Sequence, residues 1–286
     1  MFGATPHAET NALLNRLTQH ARPLVVSHGG VAVGVVSSNT TLAVRGALLS
    51  GADAVKIDVS SSIDHIFYAF HDGTEPESLG VEQNIQTMSA ATINGLSYQH
   101  RNRPGRPARV ERLTNVLTAF KGREMVFALD RSWWRWPTLL KVLDGLQMAE
   151  QCLLKVPAWE FDAIDKLRAH RTKYPVLAIC STLEELRALP HDDAEVNLVG
   201  IELIALDEES PWFDAEVLAA LRRQGLLTWV NSETMTTGVP LFADHDDERA
   251  VAESPSAAWS RILDLGVDAV QTEYPWLLHD LRELRS

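Results

Sequence analysis

Eight short, nearly continuous apolar runs punctuate the chain: Leu24–Ser27, Ala54–Val59, Met125–Leu129, Cys152–Val156, Pro175–Cys180, Leu198–Leu203, Leu226–Val230 and Asp268–Thr272. Runs of this length without polar alternation suit strands covered on both faces, as in a parallel sheet. Stretches of helical pattern lie between them: Thr41–Ser50, Pro137–Ala149, Trp159–His170, Thr182–Leu189, Pro211–Gln224, Pro255–Leu265 and Pro275–Arg285. The first follows a candidate N-cap at Asn39 or Thr40 and stops at Gly51, and several others carry proline near the first turn, where its fixed φ suits a helix start. Eight strands alternating with helices predict an α/β fold, a TIM (β/α)8 barrel, with an open doubly wound sheet as the alternative.

Two segments break the alternation. Ser60–Arg109 is too long for a strand-to-helix loop. It holds the apolar run IFYAF, a polar tract and the basic RNRPGRPAR, and it reads as an insertion after strand 2. Residues 1–286 then form a single barrel domain, with 60–109 as an inserted subdomain or lid. Val239–Ser254, including ADHDDERAVAES, reads as an exposed loop over the same end of the barrel. Asp244, His245, Asp246 and Asp247 have the chemistry of metal ligands, but a solvated acidic loop is the simpler reading.

Composition narrows the partners. The formal charge of −12, from 26 basic against 38 acidic residues, excludes a general nucleic-acid binder, which needs a basic face. An anionic substrate must therefore find local positive charge. The N-terminal stretch lacks the apolar core of a signal peptide, and no run approaches the ~18 apolar residues of a membrane span, so a cytoplasmic protein with no membrane span is expected. Cys152 and Cys180 sit in apolar segments and read as buried thiols.

Barrel active sites gather at the C-terminal ends of the strands. The polar or aromatic residues there are His28, Lys56, Asp58, Asp130, Lys155, Glu202, Trp229, Asn231 and Glu273, with His71 added from the insertion. Lys56 and Asp58 are two apart in a strand and share a face. A mouth that collects so many ionisable groups is a candidate active site.

The order of motifs resembles the glycerophosphodiester phosphodiesterase family, a branch of the phosphatidylinositol-phospholipase-C-like TIM barrels. The chain has SHGG at Ser27–Gly30 where the family has a strand ending His-Arg-Gly, and SSNT at Ser37–Thr40 where it has Pro-Glu-Asn-Thr. Gly51–Asp53 matches Gly-Ala-Asp, Lys56-Ile57-Asp58 stands at Glu-x-Asp, and His71-Asp72 matches the His-Asp pair. Asp130 stands at a further acidic ligand, Trp229-Val230-Asn231 at Trp-Thr/Val-Asn, and GVDAVQTEYP at the final signature, with Glu273 for the usual aspartate.

The resemblance implies a phosphodiester hydrolase that cleaves glycerophosphodiesters, or related polyol or sugar phosphodiesters, to an alcohol and a phosphomonoester. In that reading His28 and His71 are the catalytic base and acid, Asp58 and Asp130 the metal ligands, and Lys56, Lys155, Glu202 and Trp229 bind substrate. The departures are Lys56 for the first metal-ligating glutamate, Gly29 for the phosphate-contacting arginine and Ser38 for the glutamate of Pro-Glu-Asn-Thr. A protonated ammonium cannot ligate a metal. Either Asp58 and Asp130 hold a divalent cation, Mg or Ca, with fewer donors, or Lys56 replaces it. The alternative function is a degenerate member that binds a phosphodiester or polyol phosphate without turnover.

Overall fold

The computed structural model describes residues 1–99, 108–191, 194–235 and 237–285; of the basic run expected at 101–109, all but Ala108 and Arg109 lies outside them. Nine strands follow in chain order: β1 (Leu24–His28), β2 (Ala54–Ser61), β3 (Phe67–Ala69), β4 (Val126–Asp130), β5 (Cys152–Pro157), β6 (Val176–Cys180), β7 (Leu198–Leu203), β8 (Leu227–Asn231) and β9 (Ala269–Thr272). The order β1-β9-β8-β7-β6-β5-β4-β2 returns to β1 through a parallel β1–β2 pairing, so eight strands close into a TIM barrel. β3 lies outside the ring, antiparallel to the end of β2.

Strand alternation divides the apolar residues into two cores. Leu24, Val26, Ala128, Leu153, Leu227 and Trp229 belong to the barrel interior, and Phe2, Leu13 and Leu14 join that cluster from the N-terminal segment. The helix Ala12–His20 thus seals one end of the barrel. It was not anticipated, because its apolar side chains are few and its polar ones many. Val25, Val55, Ile57, Phe127 and Leu129 point the other way, into the larger core beneath the helices.

Caps set the helix starts. Thr40, rather than Asn39, accepts from Ala43 N at the start of Thr41–Leu49, and Ser254 accepts from Ala257 N ahead of Pro255–Asp264. Gly30 permits the first of these helices to dock: with φ +80°, it would put a Cβ 2.5 Å from the Ala43 carbonyl carbon.

The insertion grows out of β2 rather than beginning at Ser60. Ser60 pairs with Tyr68 and Ser61 with Phe67, so both serines belong to the barrel strand. Period-two alternation then splits the IFYAF run: Phe67 and Ala69 join the helix-side core, while Tyr68 and Phe70 join Leu79, Ile85, Met88 and Tyr98 in a separate cluster.

The acidic stretch after β8 requires a correction. Asp246 accepts from Arg249 N and caps a short helix, Asp247–Ala252, and both His245 and Asp247 are buried. Capping accounts for Asp246 and burial for Asp247, while Asp244 is exposed as expected. No helix among the described residues is long and apolar enough to cross a membrane. Cys152 and Cys180 are buried free thiols pushed up to about 12 by burial, which removes them as nucleophiles.

Candidate active site at the barrel mouth

Strand register builds the site. β1 and β2 place His28 beside Lys56, and β2 and β4 place Asp58 beside Asp130. Lys155 projects inward from β5, Glu202 from β7. The side chains form one chain of contacts. Lys56 Nζ lies 3.0 Å from His28 Nε2, donates to Asp58 Oδ1 at 2.5 Å, and lies 3.8 Å from Asp130 Oδ2. Lys155 Nζ is 2.9 Å from both Asp130 Oδ2 and Glu202 Oε2. Asn39 donates to Asp58 Oδ2 at 3.0 Å and accepts from the Asp58 amide.

Burial and charge set the protonation states. Burial alone would raise the Asp58 carboxyl, but Lys56, His28 and His71 hold it well below the usual carboxylate range. Burial likewise opposes ionisation of Asp130, and Lys155 and Lys56 hold it low. Lys155 keeps its proton because Asp130 and Glu202 outweigh its burial. Glu202 is raised, chiefly by burial with Asp130 adding to it and Lys155 opposing.

His28 has a second partner that the sequence reading missed. Its Nδ1 is 2.9 Å from Glu233 Oε1 and 3.7 Å from Glu273 Oε1. Burial disfavours charge on the ring, yet Glu233 overcomes both that and the Lys56 ammonium and pushes His28 up to about 9. The 3.0 Å contact fixes the consequence. Nζ donates to an unprotonated Nε2 at this distance, whereas an N–H on Nε2 would face an ammonium N–H.

Asp247 ties the two glutamate-bearing strand ends together. Its carboxylate accepts from Ser232 Oγ at 2.6 Å, Thr272 Oγ1 at 2.7 Å and the Glu273 amide at 2.6 Å. Burial pushes its carboxyl up to about 7 despite those donors. Gln271 donates to Glu233 at 3.0 Å. Glu233 lies two residues past Asn231, whose Oδ1 accepts from the Glu233 amide; only its place just beyond a strand end could have flagged it.

The insertion supplies the opposite side. His71 is half-buried, its Nδ1 3.0 Å from the Asp72 carbonyl oxygen, an arrangement that leaves Nε2 for proton exchange. Arg131, directly after Asp130, lies 3.1 Å from Asp72 Oδ1 through both Nε and Nη2. One expected residue lies elsewhere: Trp229 is fully buried in the barrel core, not on an open pocket wall. Trp136 is likewise core, whereas Trp134 is exposed and edge-on to Trp133.

The sequence matches the profile of the glycerophosphoryl diester phosphodiesterase family over residues 28–277. The chain belongs to this family. Among solved structures, glycerophosphodiester phosphodiesterases from Agrobacterium tumefaciens and Parabacteroides distasonis share the fold. The first is 18% identical, with TM-score 0.65, covering 90% of this chain and 99% of that one. The second is 13% identical, with TM-score 0.69, covering 95% and 92%. An Oleispira antarctica phosphodiesterase in complex with the product sn-glycerol-3-phosphate is 16% identical, with TM-score 0.66, covering 94% and 99%. Curated proteins give no match.

Glycerophosphodiester phosphodiesterases are expected to hold a divalent cation, here on Asp58 and Asp130. Each of the four oxygens in that pair already accepts a hydrogen bond: Asp58 from Lys56 and Asn39, Asp130 from the Arg131 amide and Lys155. As arranged, this donor set does not fit a hard cation, which needs several open oxygens. A second group, Glu208, Asp244 and His245, has ligand atoms within 4.8 Å of one another. It is tied up too, since Arg249 pairs with Asp244 at 3.0 Å and His245 Nε2 lies 2.7 Å from Glu208 Oε1.

Proposed function

We propose that this chain is a phosphodiester hydrolase that cleaves a glycerophosphodiester, or a related polyol or sugar phosphodiester, into an alcohol and a phosphomonoester without a metal ion. The observation that carries the reading is Lys56 Nζ seated between His28 Nε2 and Asp58, the place an ion would take between the two aspartates. Family membership and the product-bound relative support the reaction class.

The steps follow from the site's chemistry. A water, or a substrate hydroxyl, attacks phosphorus while Nε2 of the neutral form of His28 takes its proton, so turnover should rise with pH towards the His28 pKa of about 9; an internal hydroxyl gives a cyclic phosphodiester that water then opens. Protonation of Nε2 expels Nζ from its 3.0 Å contact, and the ammonium turns towards the phosphoryl oxygen on which charge builds. Glu233 steadies the imidazolium so formed. His71 donates a proton to the departing alkoxide. Lys155, oriented by Glu202, adds positive potential below the phosphate, while the segment after β2 and β3 carries the acid. Trp229 supports this floor from beneath.

A second reading, a member that binds phosphodiesters without turnover, is favoured by the fully paired carboxylates and by Gly29. The test is hydrolysis of glycerophosphocholine by purified protein, with EDTA and with added Mg or Ca. Chelator-resistant turnover lost in His28→Ala supports the proposal, turnover that needs metal overturns the role of Lys56, and binding without turnover selects the second reading.

A further inference from the structure

The two lysines of the site are already committed. Asp58, Asp130 and Glu202 surround Lys56 and Lys155, and Glu233 pairs with His28, so four acidic groups face three basic ones before any anion enters. A phosphodiester needs a further cation at this mouth. Position 29, next to His28, offers none: it is glycine, with φ +61° and a built Cβ 3.0 Å from Ser38 Cβ.

We infer that Arg131 is the phosphate-binding residue of this site. Three observations support it. Arg131 follows Asp130 at the end of β4 and pairs with Asp72, the neighbour of His71, so it stands between the metal-ligand position and the acid. Its backbone is left-handed at φ +56°, which an arginine adopts only where its surroundings hold it, and such residues cluster at functional sites. Its side chain is 32% exposed, and only Nε and Nη2 have partners among the described residues. A guanidinium has five N–H donors, so Nη1 and the second Nη2 proton remain available, in the planar fork that suits two phosphate oxygens.

The ion pair with Asp72 holds the guanidinium without quenching it. Asp72 also accepts from Gln86 Nε2 at 2.8 Å and Ser60 Oγ at 3.5 Å, so its charge is spread over several donors. The inference rests on the proposed phosphodiester site, and its test separates the two.

Calorimetry with sn-glycerol 3-phosphate as the probe reads binding directly, without turnover. We expect Arg131→Ala to weaken binding roughly 10- to 100-fold and Arg131→Lys to restore part of it. Arg131→Gly removes the cation but relieves the left-handed backbone; it should bind as poorly as the alanine variant while melting no lower than wild type, which excludes loss of folding as the cause. Asp72→Asn discriminates further: it frees the guanidinium and should tighten binding, whereas an arginine that merely pins Asp72 would predict weakening. Equal affinity in wild type and Arg131→Ala overturns Arg131 and leaves the site reading intact. No binding by wild type overturns both.

Discussion

Lys56 Nζ sits 2.5 Å from Asp58 Oδ1, and the two side chains come from one strand, two residues apart. A buried ammonium thus stands inside the cage that carboxylates would form around an ion. Breaking such a pair leaves an uncompensated buried charge. Lys56→Met should therefore cost about 3–5 kcal/mol, read by urea denaturation. Lys56→Glu should be as unstable in EDTA and should recover on adding Mg or Ca, with new binding in calorimetry. If calcium leaves its melting temperature unmoved, position 56 is not the ion's place.

The His28–Glu233 pair makes stability depend on alkaline pH. The folded pKa, about 9, lies above the unfolded value near 6.5, so its contribution is complete below about 6.5 and disappears as pH rises through 9. Its size is at most about 3 kcal/mol, since part of the ring is open to solvent. Wild type should lose that much between pH 6 and 10, and His28→Ala should show a flatter profile; identical slopes would mean that Glu233 does not hold a proton on His28.

Asp247 should act on His28 at a distance. Asp247→Asn keeps an acceptor for Ser232 and Thr272 but sets an amide donor against the Glu273 N–H. We expect a melting temperature lower by several degrees and a lower His28 pKa by NMR titration, because Glu233 and Glu273 lose their fixed spacing. Its own carboxyl, raised to about 7 from the ordinary value near 4, adds stability below pH 4 that is lost as pH rises through 7. An unchanged His28 titration in a folded Asp247→Asn protein would sever this link.

His71→Ala should reduce turnover roughly 10²- to 10⁴-fold, the usual contribution of a general acid. Among the described residues its ring bonds only the neighbouring Asp72 carbonyl, so the circular dichroism spectrum should not change. Trp229→Ala should instead unfold easily, at a cost of about 3–5 kcal/mol, because a fully buried indole leaves a cavity. A stable Trp229→Ala protein with altered substrate preference would return this residue to the pocket wall.

The barrel was legible because strands covered on both faces leave uninterrupted apolar runs, and His28, Lys56, Asp58, Asp130, Lys155 and Glu202 could be found at their ends. Glu233 and Arg131 could not, since each lies just past a strand, where a charged residue normally means solvent. Asp247 was hidden by its neighbours: a run of acids looks exposed until Asp246 is seen to cap a helix and turn Asp247 inward. Trp229 shows the converse error. A strand-end position says which volume a side chain enters, but its depth in that volume depends on the register around the ring.

β2 is one continuous rail that serves two bodies. Its first half carries Lys56 and Asp58 inside the ring; its second half pairs with β3, and the Phe70 amide bonds back to the Asp58 carbonyl at 3.0 Å. His28 therefore belongs to the barrel while His71 follows the hairpin, and the gap between them is dictated by the rungs of that short ladder. A residue added to the turn at 62–66 should slide His71 along the rail while the barrel strands keep their places, so the span of the mouth from His28 to His71 is written in a hairpin's register.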